Sequence, residues 1–156
     1  MERIHRETDS ETFIAYQRLV LLERQRRQLD VYYPTVGRKL ESFRALEADW
    51  DTYGGIPPSE ETIDYGQVLL LKILRLCRRH GKALPEPLVF PGGDGAIQFE
   101  WKSDGKALEL EFVMESGVPV VSYLVCPSEN MEDWLEGEYR GEIPDRSLLN
   151  MLLDWL

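Results

Sequence analysis

The sequence predicts an α+β fold: an N-terminal helical hairpin and a third helix packed on one face of an antiparallel β-meander of about four strands, followed by short C-terminal helices. Three observations predict it. Over residues 10–80 apolar side chains recur at steps of three and four, the period of a helix. From residue 97 to 125 they alternate with polar ones, the period of a half-buried strand. Between two such alternating runs sits Asp104-Gly105, the pair favoured in a two-residue turn whose central positions both need positive φ. The 156 residues fit a single domain, mainly helical over 1–80, β-meander over 88–125, helical again over 128–156.

The hairpin defines its own register. Ile97, Phe99 and Trp101 alternate with Gln98, Glu100 and Lys102; Leu108, Leu110 and Phe112 alternate with Glu109 and Glu111. A two-residue turn at Asp104-Gly105 opposes Trp101 to Leu108, Phe99 to Leu110 and Ile97 to Phe112. All six then share one face, and a slip of one residue would scatter them. The same register opposes Glu100 to Glu109 and Gln98 to Glu111, an acidic outer face. Like charges directly opposed either splay into water at little cost or await a basic partner or a cation. Ser116-Gly117 can form a second two-residue turn, pairing Phe112 with Val121, Leu110 with Tyr123 and Leu108 with Val125, whereas a three-residue turn would flip those faces. Pro119 marks that last strand as an edge, because it cannot donate to a ladder.

Upstream, Ser10 is the expected cap of a helix over residues 10–29, whose run Leu19, Val20, Leu21, Leu22 covers more than one face. Such a helix is either sandwiched or turned to a partner. Arg24, Arg26 and Arg27 near its end are a small basic patch or cations complementing the helix dipole. Pro34 disfavours helix in the residue before it, so a break is expected at Tyr32 and Tyr33, and Thr35 starts a second helix reaching residue 47. These two helices are expected to pack as a hairpin. Ser59 caps the third, over residues 60–80, which Gly81 ends. Lys72, Arg75, Arg79 and Lys82 line one of its sides.

Between the second and third helices lies the most distinctive loop. Asp49 and Asp51 flank Trp50, Tyr53 precedes Gly54 and Gly55, and Pro57 and Pro58 stiffen the exit. It reads either as a connection pinned by Trp50 and Tyr53 in the core or as a polar and aromatic site on a rigid loop. The run Trp50, Asp51, Thr52, Tyr53, Gly54, Gly55, then Pro58, Ser59 and Ile63, resembles a "WDxYG…PS…I" pattern of short uncharacterised bacterial proteins. In those, a helix and a Pro-rich link lead to a "DG-x-I-x-x-x-W"-like strand, which residues 94–101 match. The resemblance covers residues 46–112 and implies no activity and no catalytic residue.

In the tail, Ser128 is the expected cap of a short helix carrying Met131, Trp134 and Leu135 and ended by Gly137. A final helix follows Pro144 with Leu148, Leu149, Met151, Leu152, Leu153 and Trp155. Its apolar residues point almost all round, so it is expected either to wedge between layers of its own domain or to bury a second side in a partner or a second copy of the chain.

Charge narrows the function. Residues 1–45 carry nine Lys/Arg and seven Asp/Glu, a net +2, and the remainder carries −12 of the chain's −10. An acidic body is a poor binder of nucleic acid; it suits basic protein partners or serves only to keep the chain in solution. No apolar run spans a bilayer. Residues 1–6 hold no apolar leader, so a cytoplasmic chain with reduced Cys77 and Cys126 is expected. His5 and His80 have no companions of metal-site or catalytic spacing, so no catalytic residue, metal or cofactor is expected. The expected function is a non-catalytic protein-binding module of antitoxin, immunity or adaptor type, with a basic protein as partner. Its candidate contact residues are Asp49, Trp50, Asp51, Tyr53, Glu100, Glu109, Glu111, Leu148, Leu152 and Trp155. Two alternatives remain: a Mg²⁺ or Mn²⁺ enzyme in which Asp49, Asp51, Glu100 and Glu109 converge, and a nucleic-acid accessory protein using the Lys72–Lys82 stripe together with Arg24, Arg26 and Arg27.

Overall fold

A computed structural model describes the backbone of residues 2–155 and the side chains of residues 10–155 apart from Gln28. The side chain of His5 lies outside these. Strands β1 (Leu88–Pro91), β2 (Ile97–Ser103), β3 (Lys106–Glu115), β4 (Val118–Cys126) and β5 (Leu135–Arg140) form one antiparallel meander in sequence order. Helices α2 (Tyr33–Ser42), α3 (Glu60–Arg79) and α4 (Asp145–Trp155) pack against one face of it, with α3 and α4 lying on β3. The long helix α1 (Glu2–Arg27) precedes them.

Both two-residue turns form as their residues require. Asp104 and Gly105 have φ of 49° and 76°, Ser116 and Gly117 of 52° and 77°. The registers they impose oppose Trp101 to Leu108, Phe99 to Leu110, Ile97 to Phe112, and then Phe112 to Val121 and Leu110 to Tyr123. Phe99 and Phe112 meet edge to face at 4.9 Å between ring centres, and each is fully buried. Helix α3 begins at Ser59, whose hydroxyl accepts from Thr62 N–H at 3.1 Å. It lies close on the sheet because Gly66 is there: a Cβ at that position would sit 2.9 Å from Phe112 Cζ.

Three expectations are corrected, and one open choice is narrowed. First, the chain does not turn back at Pro34. A π turn, Gln28–Tyr32, carries α1 directly into α2, and Tyr32 keeps helical φ and ψ of −69° and −47°. Pro34 falls in the first turn of α2, directly after the π turn, where the i→i−4 ladder it cannot join is already interrupted. Its break signal therefore becomes a shift of hydrogen-bond register instead of a hairpin. Thr35 bonds back to Val31 O instead of capping, and α1 begins well before Ser10.

Second, the segment after Ser128 is a single 3₁₀ turn, Met131–Asp133, capped by Asn130, and then the strand β5. Leu135, Gly137 and Tyr139 alternate with Glu136, Glu138 and Arg140, a period of two, and Tyr139 stacks on Tyr123 at 5.8 Å. Third, β4 is therefore interior. Pro119 is tolerated because β5 pairs only as far as Val120, so the donor it lacks points past the end of that strand. Its carbonyl there accepts from Gly141 N–H at 2.8 Å.

Of the two readings of α4, wedged within its own domain or turned in part to a partner, its buried stripe fits the first. Leu148, Leu152 and Trp155 are buried in the domain's own core. The helix is apolar nearly all round because it is wedged between α3 and the sheet.

Candidate protein-docking surface

Successive side chains of a strand point to opposite faces, so a meander covered on one side has a second side of its own. Leu88, Phe90, Glu111, Glu136 and Glu138 on that side are exposed, so among the described residues no helix covers them. One row across it is Leu88, Glu100, Glu109, Leu124 and Glu136; the next is Phe90, Gln98, Glu111, Ser122 and Glu138. The face is thus a belt of carboxylates, bordered at the β1 edge by Leu88 and Phe90, both exposed.

The belt is not uniformly wet. Glu100 is only 7 % exposed. Lys102 Nζ pairs with one of its oxygens, and Gln98 Nε2 reaches the other at 3.4 Å. This bond raises the Lys102 ammonium above its ordinary range. Lys102 offsets the charge of Glu100 and lets it lie opposite Glu109. Among the described residues Glu111 has no such cation. Desolvation, then the charges of Asp94 and Glu109, raise its carboxyl above the ordinary carboxylate value. Arg140 answers Glu115 at 3.2 Å and Glu138 at 3.5 Å at the far edge.

Asp94 links this belt to the aromatic loop. Ile56 pairs with Asp94 in a parallel bridge, and Ile56 N–H donates to Gly93 O at 2.9 Å. The loop is self-braced. Asp51 Oδ1 accepts from Tyr53 N–H at 2.9 Å and from Gly55 N–H at 2.8 Å, and Asp49 Oδ1 accepts from Gly54 N–H at 2.6 Å. These amide bonds, Tyr53 first, hold the Asp51 carboxyl below its usual range. Gly55 is required, because a Cβ there would fall 2.6 Å from the Asp51 carboxyl carbon. Trp50 is half-buried, whereas Tyr53 is 92 % exposed at the tip. The loop therefore joins the two readings: Trp50 anchors it and Tyr53 faces water.

The structure groups Asp51, Asp94, Glu111, Glu109 and Glu100 along one side of the molecule. Leu148, Leu152 and Trp155 lie on the covered side and are not part of this surface. Sequence reasoning missed Asp94, Leu88, Phe90, Glu136 and Glu138. The alternation of residues 135–140 carried the signal for the last two.

Among the described residues no three of His, Cys, Asp and Glu stand together as metal ligands. Asp49 and Asp51 each spend one oxygen on the loop's own amides. In the cationic stripe, Lys72 donates to Ile143 O at 2.6 Å and pairs with Asp145 at 3.3 Å. It ties the C-terminal segment to α3. Arg75 and Arg79 line an open groove of about 470 Å³ beside it. Burial pushes the Cys77 thiol up to about 11, and burial with the charge of Glu109 raises Cys126. Both thiols are therefore weak nucleophiles at neutral pH. No described helix is long and apolar enough to cross a membrane. Compared with known protein families, with curated proteins and with solved structures, the chain shows no match.

Proposed function

We propose that the chain is a non-catalytic protein-binding module, of the antitoxin, immunity or adaptor kind, whose uncovered sheet face docks a cationic protein surface. One observation carries this reading: a five-stranded sheet leaves a whole face without a helix and lines it with glutamates. A sheet face that served only as an outer wall would gain by pairing its charges across strands. Here Glu109, Glu111 and Glu136 form no close ion pair among the described residues, and Glu109 only shares the field of Lys102. A partner presenting Lys or Arg would remove that repulsion on binding, and the same field would speed encounter. Tyr53 supplies the aromatic anchor, held on a loop with little entropy left to lose. Leu88 and Phe90 supply apolar contact at the rim.

The test is affinity capture from native extract with the full chain, beside a variant carrying Glu109→Lys, Glu111→Lys and Glu138→Lys. The expected result is a stoichiometric basic protein held by the wild type and lost by the variant. Its affinity should fall at least ~10-fold between low and high salt. Equal retention of the partner by both chains would overturn the proposal.

A further inference from the structure

The two edges of the sheet are finished differently. In an antiparallel ladder alternate residues turn their N–H and C=O to the neighbouring strand, and the residues between turn theirs away. At the β1 edge Gly92 N–H donates to Ala96 O at 2.7 Å, in step with the pairs Phe90–Gln98 and Leu88–Glu100. The positions turned outward are therefore Val89 and Pro91, with Pro87 just before the strand. Proline has no N–H, so this edge offers the N–H of Val89 alone, and α2 packs beside it.

The β5 edge has no such protection. Gly141 N–H donates to Pro119 O at 2.8 Å, in step with the pairs Tyr139–Val121, Gly137–Tyr123 and Leu135–Val125. Glu136, Glu138 and Arg140 therefore turn outward, each with both its N–H and its C=O. All three are exposed, and among the described residues these backbone groups meet no hydrogen-bond partner. A row of unpaired donors and acceptors at a sheet edge is a template for another strand.

The two sides of β5 select the strand that fits. On the uncovered face, Glu136 continues the row of Glu100 and Glu109, and Glu138 the row of Glu111. On the other side, the Tyr123 ring lies over Gly137, where a Cβ would fall 2.6 Å from its hydroxyl oxygen. Tyr139 stacks on that ring, and Leu135 beside it is half exposed. A second copy of β5 is a poor occupant, because it would run one acidic row into another.

We propose that β5 is an augmentation edge: an extended segment of a basic partner pairs antiparallel with Glu136–Arg140, placing Lys or Arg opposite Glu136 and Glu138 and apolar residues beside Leu135 and Tyr139. This rests on the reading above, that the partner is cationic, and adds how its backbone is held. Every neighbouring pair in the sheet is antiparallel, the pairing that is slightly stronger per residue. Direct opposition then turns the N–H of each lysine toward β5 and that of each intervening apolar residue away from it.

The experiment uses the full chain and a capped peptide, Val-Ser-Val-Lys-Val-Lys-Val, whose serine falls opposite Arg140 and whose lysines fall opposite Glu138 and Glu136. Saturating peptide should slow amide exchange at Glu136, Glu138 and Arg140 and leave Val89 unchanged. Backbone N-methylation at both lysines should weaken binding at least ~10-fold, while N-methylation at the two valines before them should not. The charge is the same in all three peptides, so attraction to the acidic face alone would treat them alike. Equal binding by the two methylated peptides would overturn the proposal, as would a peptide that fails to bind at millimolar concentration. Loss on methylating the valines instead would overturn antiparallel pairing. Capture of a basic protein by the acidic face does not depend on these amides, so that reading can stand where this one falls.

Discussion

The two faces of the sheet are built from the same strands, residue by residue in alternation, yet they obey different rules. On the covered face Ile97, Phe99, Trp101, Leu108, Leu110 and Phe112 are all 0–1 % exposed and locked under α3 and α4. On the other, Gln98, Glu100, Lys102, Glu109 and Glu111 occupy the intervening positions with no layer above them. The covered face carries stability, because apolar area leaves water only there. The uncovered face is spared that task, so its residues are free to carry charge that a purely structural wall would avoid. Burial and charge are thus divided between alternating positions of one ladder.

The largest effect should come from the covered side. Phe112 is fully buried and touches Phe99 and Tyr65 edge to face at 4.9 and 5.7 Å. Phe112→Ala should cost about 3–5 kcal/mol, measured as a fall in the denaturant midpoint with little change in slope. A loss below ~1 kcal/mol would mean that the face is less tightly packed than its burial implies. A smaller effect probes the fit between helix and sheet. Gly66→Ala adds one methyl 2.9 Å from Phe112 Cζ, and that ring is hemmed in by Phe99 and Tyr65. Helix propensity alone would favour alanine by ~1 kcal/mol. Overpacking should outweigh it, for a net loss of about 1–2 kcal/mol in the same measurement. A stabilised variant would show that helix and sheet can move apart at that point.

Much of this division is legible in the chain itself. Asp104-Gly105 fixes a turn, the turn fixes a register, and the register assigns Phe99, Leu110 and Phe112 to one face and Glu100, Glu109 and Glu111 to the other before any tertiary contact is known. Ser59 and Gly81 mark the ends of α3 by equally local means. Elsewhere a residue's meaning depends on a partner far along the chain. Pro34 ends a helix only if its N–H is needed, and its place in a first turn is a matter of register. The segment 135–140 is a strand because β4 offers it an edge, while Pro119 made that edge look closed. Whether Leu148 and Trp155 are inside or outside was undecidable from helical periodicity, because α4 is apolar on every side. The docking surface was half visible for the same reason. Its glutamates follow from the hairpin, but Asp94 and Tyr53 join them only through the Ile56–Asp94 bridge.

The finest contrast lies within the uncovered face, between a glutamate with a cation and one without. Glu100 has Lys102; Glu111 has Asp94 and Glu109, which with desolvation raise its carboxyl pKa. A group whose folded pKa exceeds its unfolded one binds its proton more tightly in the folded state. Folding is then favoured below the unfolded pKa, and that advantage is lost as pH rises through the folded value. Ionised Glu111 is therefore a small burden at neutral pH, which Glu111→Gln removes. The variant should be more stable than wild type at pH 7 by a few tenths of a kcal/mol, since the site is open to screening solvent. The two chains should converge below the unfolded carboxylate range, where both side chains are neutral. Denaturant midpoints at pH 7 and at pH ~3.5 measure this directly, with the acid point lying below the ordinary Glu pKa. An equal difference at both values would place the cause in packing and remove the charge argument for this face.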